Sequence, residues 1–381
     1  MQKPIYINHI ASLSALGSTS DKVWESLKDA QPPFHKHKFH DTEVMVSALN
    51  EKDEKALEKI KNERKLYNEL DKSALMAIFV GRELIKHINE DISKFGINIG
   101  SSRGATQIFE QAHQDYLKYQ KVLIMTSPTT TLGNLATNVA QDLGLQGPAI
   151  SHSITCSSAL HALLNAVAFL QSGMLTDFII GGTEAPLTGF TIAQMQALKL
   201  YSKQSDDYPC RSLDFDKSEN TLVLGEAACL ASLSTRPKEN AIKVSGIGYA
   251  TENIKHGVAL SAEADCLKQS MQMALKSADK IDVDVVVMHA PGTLKGDKFE
   301  LNALKNTFQN LPALTTNKWL IGHSFGASGA MSLDMAVMML RQDTFISNPF
   351  YKNKNIPKHI KSVMVNAVGF GGNAVSVVLE K

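Results

Sequence analysis

Short apolar runs rich in β-branched residues alternate along the chain with stretches whose apolar positions recur at helical spacing. Ile97–Gly100, Phe178–Gly181, Val283–Met288 and Ser362–Asn366 read as strands, and Asp71–His87, Leu160–Leu170 and Ala262–Ser277 as amphipathic helices. This alternation predicts an α/β protein with buried, largely parallel strands. Asn50–Leu70 mixes charges of both signs densely and reads as a solvated helix. No Pro- or Gly-rich linker divides the chain. The best boundary is Ser234–Asn240, after the strand-like Ala227–Leu233, giving an N-terminal unit over 1–235 and a C-terminal unit over 236–381. Each unit closes on a strand, a Gly-rich turn and another strand, a pattern compatible with internal duplication.

Composition narrows the classes. A chain of 381 residues suits two cores, at roughly 100–200 residues per domain. Apolar residues at 44% and charged ones at 20% fit a folded, not a disordered, chain. Lys plus Arg number 39 against 38 Asp plus Glu, a net charge of +1. Such a chain has no broad field to gather nucleic acid or anionic lipid, so neither partner is expected. No run approaches the roughly 18 apolar residues of a membrane span, so no membrane insertion is expected. The first residues lack the features of a signal peptide. The four cysteines, at 156, 210, 229 and 266, show no CxxC pairing, which suits a reducing, cytoplasmic location.

Four groups of residues could carry chemistry. Cys156 follows a strand candidate, Pro148–Ile154, and precedes the helix marked by Leu160, Leu163, Leu164, Val167 and Leu170. A thiol at a helix N-terminus meets free N–H groups and the positive dipole end, which favour a thiolate. A buried structural cysteine is the competing reading. His323 stands among Gly322, Gly326 and Gly329, small residues at helix-turn spacing, and could serve a thiolate as acid–base partner or rest as a satisfied core histidine. Gly369-Phe370-Gly371-Gly372 precedes a strand. On these residues alone a tight hairpin outweighs an oxyanion hole. His35, His37 and His40 sit in a Lys-rich segment that reads as a solvated loop, and no metal or other cofactor is expected.

Taken in order, these segments resemble the β-ketoacyl-(acyl carrier protein) synthases of the thiolase superfamily over nearly the whole chain. Ile10–Gly17 with Trp24 is similar to the family's opening strand and turn. Gly100-Ser-Ser-Arg-Gly104 is similar to its Gly-Ser loop, and Cys156-Ser-Ser to its nucleophile. Asp177–Gly182, Arg211–Asp214 with Gly225-Glu226, Gly292-Thr293…Gly296-Asp297…Glu300, Lys318…Gly322-His323 and Gly369–Gly372 complete the series. The resemblance implies a thiolase fold: two duplicated βαβαβαββ halves forming a five-layered αβαβα core. It implies a cysteine that takes an acyl chain from a carrier protein. Two histidines then promote decarboxylation of a malonyl extender and stabilise the enolate oxygen. By position, Cys156, His323 and Lys318 inherit catalytic roles. The loop at Phe370, Gly371 and Gly372, with His289, Pro291 and Thr293, inherits substrate contacts. Thiolysis is not implied, because no cysteine follows Cys266.

One departure stands out. Where the family has A-H-G-T, this chain reads Ala290-Pro291-Gly292-Thr293, and the turn that follows is two residues shorter. Proline offers neither donor nor base. His289 lies two residues upstream, on the same side in an extended segment. The resemblance therefore points first to a chain-length-factor-like subunit of a type II fatty acid or aryl-polyene system, an acyltransferase that needs a complete ketosynthase partner to condense. The alternative is an active condensing synthase, and a third reading is a binding scaffold. The implied partners are an acyl carrier protein bearing a phosphopantetheine-linked chain, and a second ketosynthase subunit or itself, docked beside Ala149–Ile154.

Overall fold

A computed structural model describes residues 3–253 and 261–381. Its main sheet uses β1 (Ile5–Ser14), β4 (Gly96–Gly100), β5 (Ala149–His152), β6 (Asp177–Glu184) and β7 (Ala227–Ser234) in the N-terminal part. The C-terminal part adds β8 (Ile242–Thr251), β9 (Val285–Val287), β10 (Ala313–Thr315), β11 (Ser362–Gly369) and β12 (Asn373–Glu380). β2 (His35–Phe39) and β3 (Thr42–Val46) form a separate hairpin. The sheet order is β5-β4-β6-β7-β1 and then β8-β12-β11-β9-β10, the second half repeating the first in reverse across the join. β1 and β8 meet only over Ile5–Ile7 and Ile242–Val244.

Pairings are parallel for β5–β4, β4–β6, β11–β9 and β9–β10, and antiparallel for the rest. The sheet is mixed, which corrects the expectation of a largely parallel one. The difference arises because β7 and β12 each run antiparallel to the strand before them, β12 through the tight turn after Gly369 and β7 after a long excursion that includes residues 189–197.

The helices that cover the sheet are α3 (Lys72–Ile85) and α6 (Asn134–Leu143) outside the first half, and α9 (Asp265–Ser277) and α10 (Leu294–Thr307) outside the second. Between the halves run α7 (Ser158–Ser172) and α12 (Ser328–Gln342). Strand alternation builds the layers. Phe178 and Ile180 of β6 join the central core while Ile179 joins the outer one, and Val285 and Val287 of β9 do the same opposite Val286. The result is the five-layered αβαβα arrangement of the thiolase fold. Ser328 through Leu340 are buried on every side of α12, as a central-layer helix requires.

The smaller helices are α1 (Ser20–Asp29), α2 (Glu51–Lys61), α4 (Thr106–Tyr119), α5 (Thr126–Thr130), α8 (Gly189–Ala197) and α11 (Lys318–Ile321). In α2, Leu57 and Ile60 are buried, so the charge-rich segment is solvated on one face only. His35 and His37 lie on the exposed β2, not in a loop, because Thr42–Val46 offers it a pairing edge. Among the described residues no helix is long and apolar enough to cross a membrane.

Candidate active site

The chain turns sharply between β5 and α7, and Cys156 sits on that turn, two residues before the helix. Thr155 holds φ +47°, a left-handed conformation costly for a β-branched residue. Several bonds hold it there. Thr155 Oγ1 donates to the Phe370 carbonyl at 3.3 Å, Ser158 Oγ donates to the Thr155 carbonyl at 2.6 Å, and Ser328 Oγ donates to the Cys156 carbonyl at 3.3 Å. Gly369 is required beside it: a Cβ there would stand 1.8 Å from Thr155 Oγ1. Nucleophile turn, Gly-rich loop and α12 thus brace one another.

Cys156 lies at the helix entrance as expected, but its thiol is not acidified. Burial, with the Glu184 carboxylate second, pushes it up to about 12, outweighing the opposite pull of Lys318 and Arg103. The expected resting thiolate is corrected to a thiol, because lost hydration penalises the anion more than one helix end favours it. A base therefore has to take the proton at the moment of attack. His323 is in place: its Nε2 lies 3.2 Å from Cys156 Sγ.

His323 occupies a turn between α11 and the 3₁₀ turn Phe325–Ala327, not a helix, since Gly322 with φ +67° ends α11 there. Its N–H donates to the Val223 carbonyl at 2.7 Å. The His289 ring lies edge-on to it, with centroids 5.3 Å apart and planes at 85°. Burial, followed by the Lys318 charge, holds both imidazoles well below their ordinary range, so both are neutral at pH 7. Among the described residues the Nδ1 atoms of both rings lack a hydrogen-bond partner.

Glu300 fixes the His289 backbone. One carboxylate oxygen accepts from His289 N–H at 2.9 Å and the other from Ala290 N–H at 2.8 Å. Lys318 is buried; burial lowers its ammonium to about 8, against the attraction of Glu300 and Cys156. Ala290 (φ +25°) and Gly292 (φ +86°) carry the chain around Pro291. Thr293 then caps α10, its Oγ1 accepting from Gly296 N–H at 3.1 Å.

Cys156, His289, Pro291, Thr293, His323, Glu300, Gly369 and Phe370 line one cavity of about 330 Å³. Lys318 stands behind it, outside the lining residues. Gly371 and Gly372 are also outside it. They make the β11–β12 hairpin turn, and the Gly372 N–H is already spent on the Gly369 carbonyl at 3.1 Å. Gly369 and Phe370 are the part of the loop that lines the cavity. The remaining walls are mostly apolar, from Met195, Leu200, Leu222, Leu294, Phe299 and Phe325, with Asn220 and Lys295 as polar exceptions. These were missed in the sequence, where scattered apolar residues carry no signal of a shared wall. Arg103 and Glu184 were missed as well, although the Gly100–Gly104 loop and the FIIGGTE strand both pointed nearby.

The N-terminal and C-terminal domain models of the beta-ketoacyl synthase family match residues 2–238 and 242–350. The chain is 26% identical to the 3-oxoacyl-(acyl-carrier-protein) synthase 2 of Staphylococcus aureus (strain COL), covering 100% of this chain and 98% of that one. It is 24% identical to Nodulation protein E of Rhizobium meliloti (strain 1021), covering 98% of each. Among solved structures, a beta-ketoacyl synthase from Burkholderia phymatum STM815 superposes over 100% of both chains with a TM-score of 0.84 at 21% identity. A ketosynthase in complex with its chain length factor from Xenorhabdus doucetiae gives 0.82 at 20% identity, over 99% of this chain and 98% of that one. With the thiolase fold, a cysteine–histidine pair at 3.2 Å and family models spanning most of its length, the chain belongs to the beta-ketoacyl synthase family.

Proposed function

We propose that this chain is an active condensing β-ketoacyl-(acyl carrier protein) synthase whose triad is Cys156, His289 and His323. One observation carries the reading: the His289 and His323 rings stand edge-on at 5.3 Å in the cavity that also exposes Cys156. The sequence spacing agrees. Counted from Pro291, the turn to Gly296-Asp297 is two residues shorter than the family's; counted from His289, the shortfall vanishes. The chain-length-factor-like reading rested on proline in the first histidine's place, and this register removes that ground. Pro291 then becomes a wall of the cavity beside Thr293.

The chemistry follows in two stages. Cys156 passes its S–H proton to His323 Nε2 while its sulfur attacks the acyl thioester on the carrier protein. The carrier's thiol leaves with that proton, and the acyl chain remains on Cys156. A malonyl thioester then enters. Its carboxylate departs as carbon dioxide, and the electron pair left behind forms an enolate. Neutral His289 donates a ring N–H to the enolate oxygen, and His323 joins it once its single ring proton has moved from Nδ1 to Nε2, the tautomer opposite to the one that accepts the Cys156 proton. The enolate carbon attacks the acyl-Cys156 carbonyl, the C–S bond breaks, and the departing thiolate takes one proton from the solvent, since loss of carbon dioxide from a carboxylate supplies none. A β-ketoacyl chain is left on the carrier.

The expected partners are an acyl carrier protein and a second subunit, itself or another ketosynthase. Strand β5 supports a dimer, because it ends the sheet with one edge unpaired. The test is carbon–carbon bond formation by the purified chain given acyl- and malonyl-carrier protein. Product from wild type and none from Cys156→Ala is expected; wild type that loads but forms no product counts against the reading.

A further inference from the structure

Glu184 ends β6, is fully buried, and is not among the residues that line the cavity. Its carboxylate collects four donors from two distant segments. Oε2 accepts from Ser102 N–H at 2.6 Å and Gly326 N–H at 3.0 Å; Oε1 accepts from Arg103 N–H at 3.0 Å and Ser101 Oγ at 3.1 Å. One segment is the Gly-Ser loop after β4, the other the turn leading into α12. Gly326 admits no side chain there, since a Cβ would lie 2.4 Å from Ser102 N and 2.8 Å from Glu184 Oε2.

What this junction holds is next to the chemistry. Phe325, adjacent to Gly326, keeps φ +38°, a conformation a bulky residue adopts only under constraint. Its ring lies 5.5 Å from the His323 ring on one side and 5.1 Å from the Arg103 guanidinium on the other. Arg103 is itself tied to Gln194. Phe325, His323 and Cys156 all face the cavity. After burial, the carboxylate is the next largest influence against ionisation of the Cys156 thiol.

We infer that Glu184 is a positioning residue of the condensing site: its carboxylate clamps the Ser101–Arg103 loop to Gly326, thereby setting the His323–Phe325 turn against Cys156. Burial raises the Glu184 carboxyl to about 7, and above that pH its charge adds to burial in opposing ionisation of the thiol. This rests on the condensing reading above and adds a residue to it. Clamp and charge are separable by substitution. Glu184→Gln keeps the size and removes the charge; Glu184→Asp keeps the charge and shortens the reach.

The experiment measures two rates at pH 8 on the full chain: iodoacetamide alkylation mapped to Cys156 by peptide mass, and turnover with acyl- and malonyl-carrier protein. Glu184→Gln is expected to alkylate Cys156 about three- to tenfold faster, as loss of a nearby anion lowers the thiol's pKa. Its kcat should fall about 10- to 100-fold with KM for malonyl-carrier nearly unchanged. Glu184→Asp should lose kcat similarly while alkylating at the wild-type rate. The buried Cys229 and Cys266 serve as the internal check that the variant is folded, since they should stay unlabelled. Ser101→Ala, which removes one donor and spares the carboxylate, is the milder variant if Glu184→Gln does not fold, with kcat down severalfold and alkylation unmoved. Alkylation of Glu184→Gln at the wild-type rate, or wild-type turnover in Glu184→Asp or in Ser101→Ala, would overturn the inference. Wild type that fails to condense counts against the functional reading instead, and the alkylation pair still decides the role of Glu184.

Discussion

At the scale of single residues the site works by withholding charge. Cys156, His289 and His323 are all buried, and burial keeps each neutral at pH 7. A consequence is selectivity by access, not by acidity. All four cysteines are buried, but Cys156 alone among them lines the cavity. Incubation with acyl-carrier thioester should therefore place the acyl group on Cys156, and Cys156→Ala should abolish loading, as read by intact mass; acylation of that variant would disprove the assignment. The histidines predict the pH dependence. Their folded pKa values lie below the ordinary 6.5, so the unfolded chain binds protons more readily. Stability from each is therefore complete above pH 6.5 and is lost as pH falls, by about 1.4 kcal/mol per pH unit for each histidine while it stays neutral in the fold. Thermal melts should show wild-type Tm dropping more steeply from pH 6.5 to 5 than that of His323→Ala; equal slopes would contradict the neutral assignment. Sequence made Cys156 and His323 readable because each sits in a distinctive run. The other histidine was less legible, because the Gly-Thr pair of Ala-Pro-Gly-Thr sets Pro291 in the first histidine's position, whereas the proposed triad takes His289. The backbone bonds from His289 and Ala290 to Glu300 that hold this segment form only in the fold and leave no local signal in the sequence.

At the scale of elements the active site is an assembly of turns, each at the end of a strand or helix that the periodicity located well. Asp71–His87 became α3, and Leu160–Leu170 is the buried heart of α7. The turns themselves were harder to read, because their shapes depend on contacts between remote segments. The Gly-rich loop illustrates this: its residues read as a hairpin and the resemblance implied substrate contacts, and the loop combines a hairpin turn with two cavity-lining residues. Gly371 and Gly372 make the turn, and Gly369 and Phe370 meet Cys156. Gly369→Ala should separate the two functions. The added methyl would occupy the place of Thr155 Oγ1, costing about 1–3 kcal/mol of strain. Acyl loading should slow at least tenfold while far-UV circular dichroism is unchanged. Loading at the wild-type rate would mean the loop and the nucleophile turn move independently.

At the scale of the whole molecule the two halves repeat one strand order, and the repeat puts Cys156 before α7 and His323 just before α12, the paired central helices. Duplication was only compatible with the sequence, since the halves share pattern but little residue identity, and pairing order is invisible without the sheet. Assembly is the remaining question at this scale. The surface from α4 to α5 exposes Phe109 (60%), Leu123 (72%) and Ile124 (96%), large apolar side chains of the kind that grouped together mark an interaction surface. A dimer is expected by light scattering at micromolar concentration. Phe109→Asp, which disturbs no core, should shift the population toward monomer without changing the far-UV spectrum; an unshifted dimer would remove this surface from the interface.

The most direct test of the account is release of carbon dioxide from malonyl-carrier protein by this chain purified alone, compared with its His289→Ala and Pro291→Ala variants. The account predicts release by wild type, a fall of about 10²–10³-fold in His289→Ala, and a rate near wild type in Pro291→Ala. No release without a second ketosynthase, or release undiminished in His289→Ala, would contradict it.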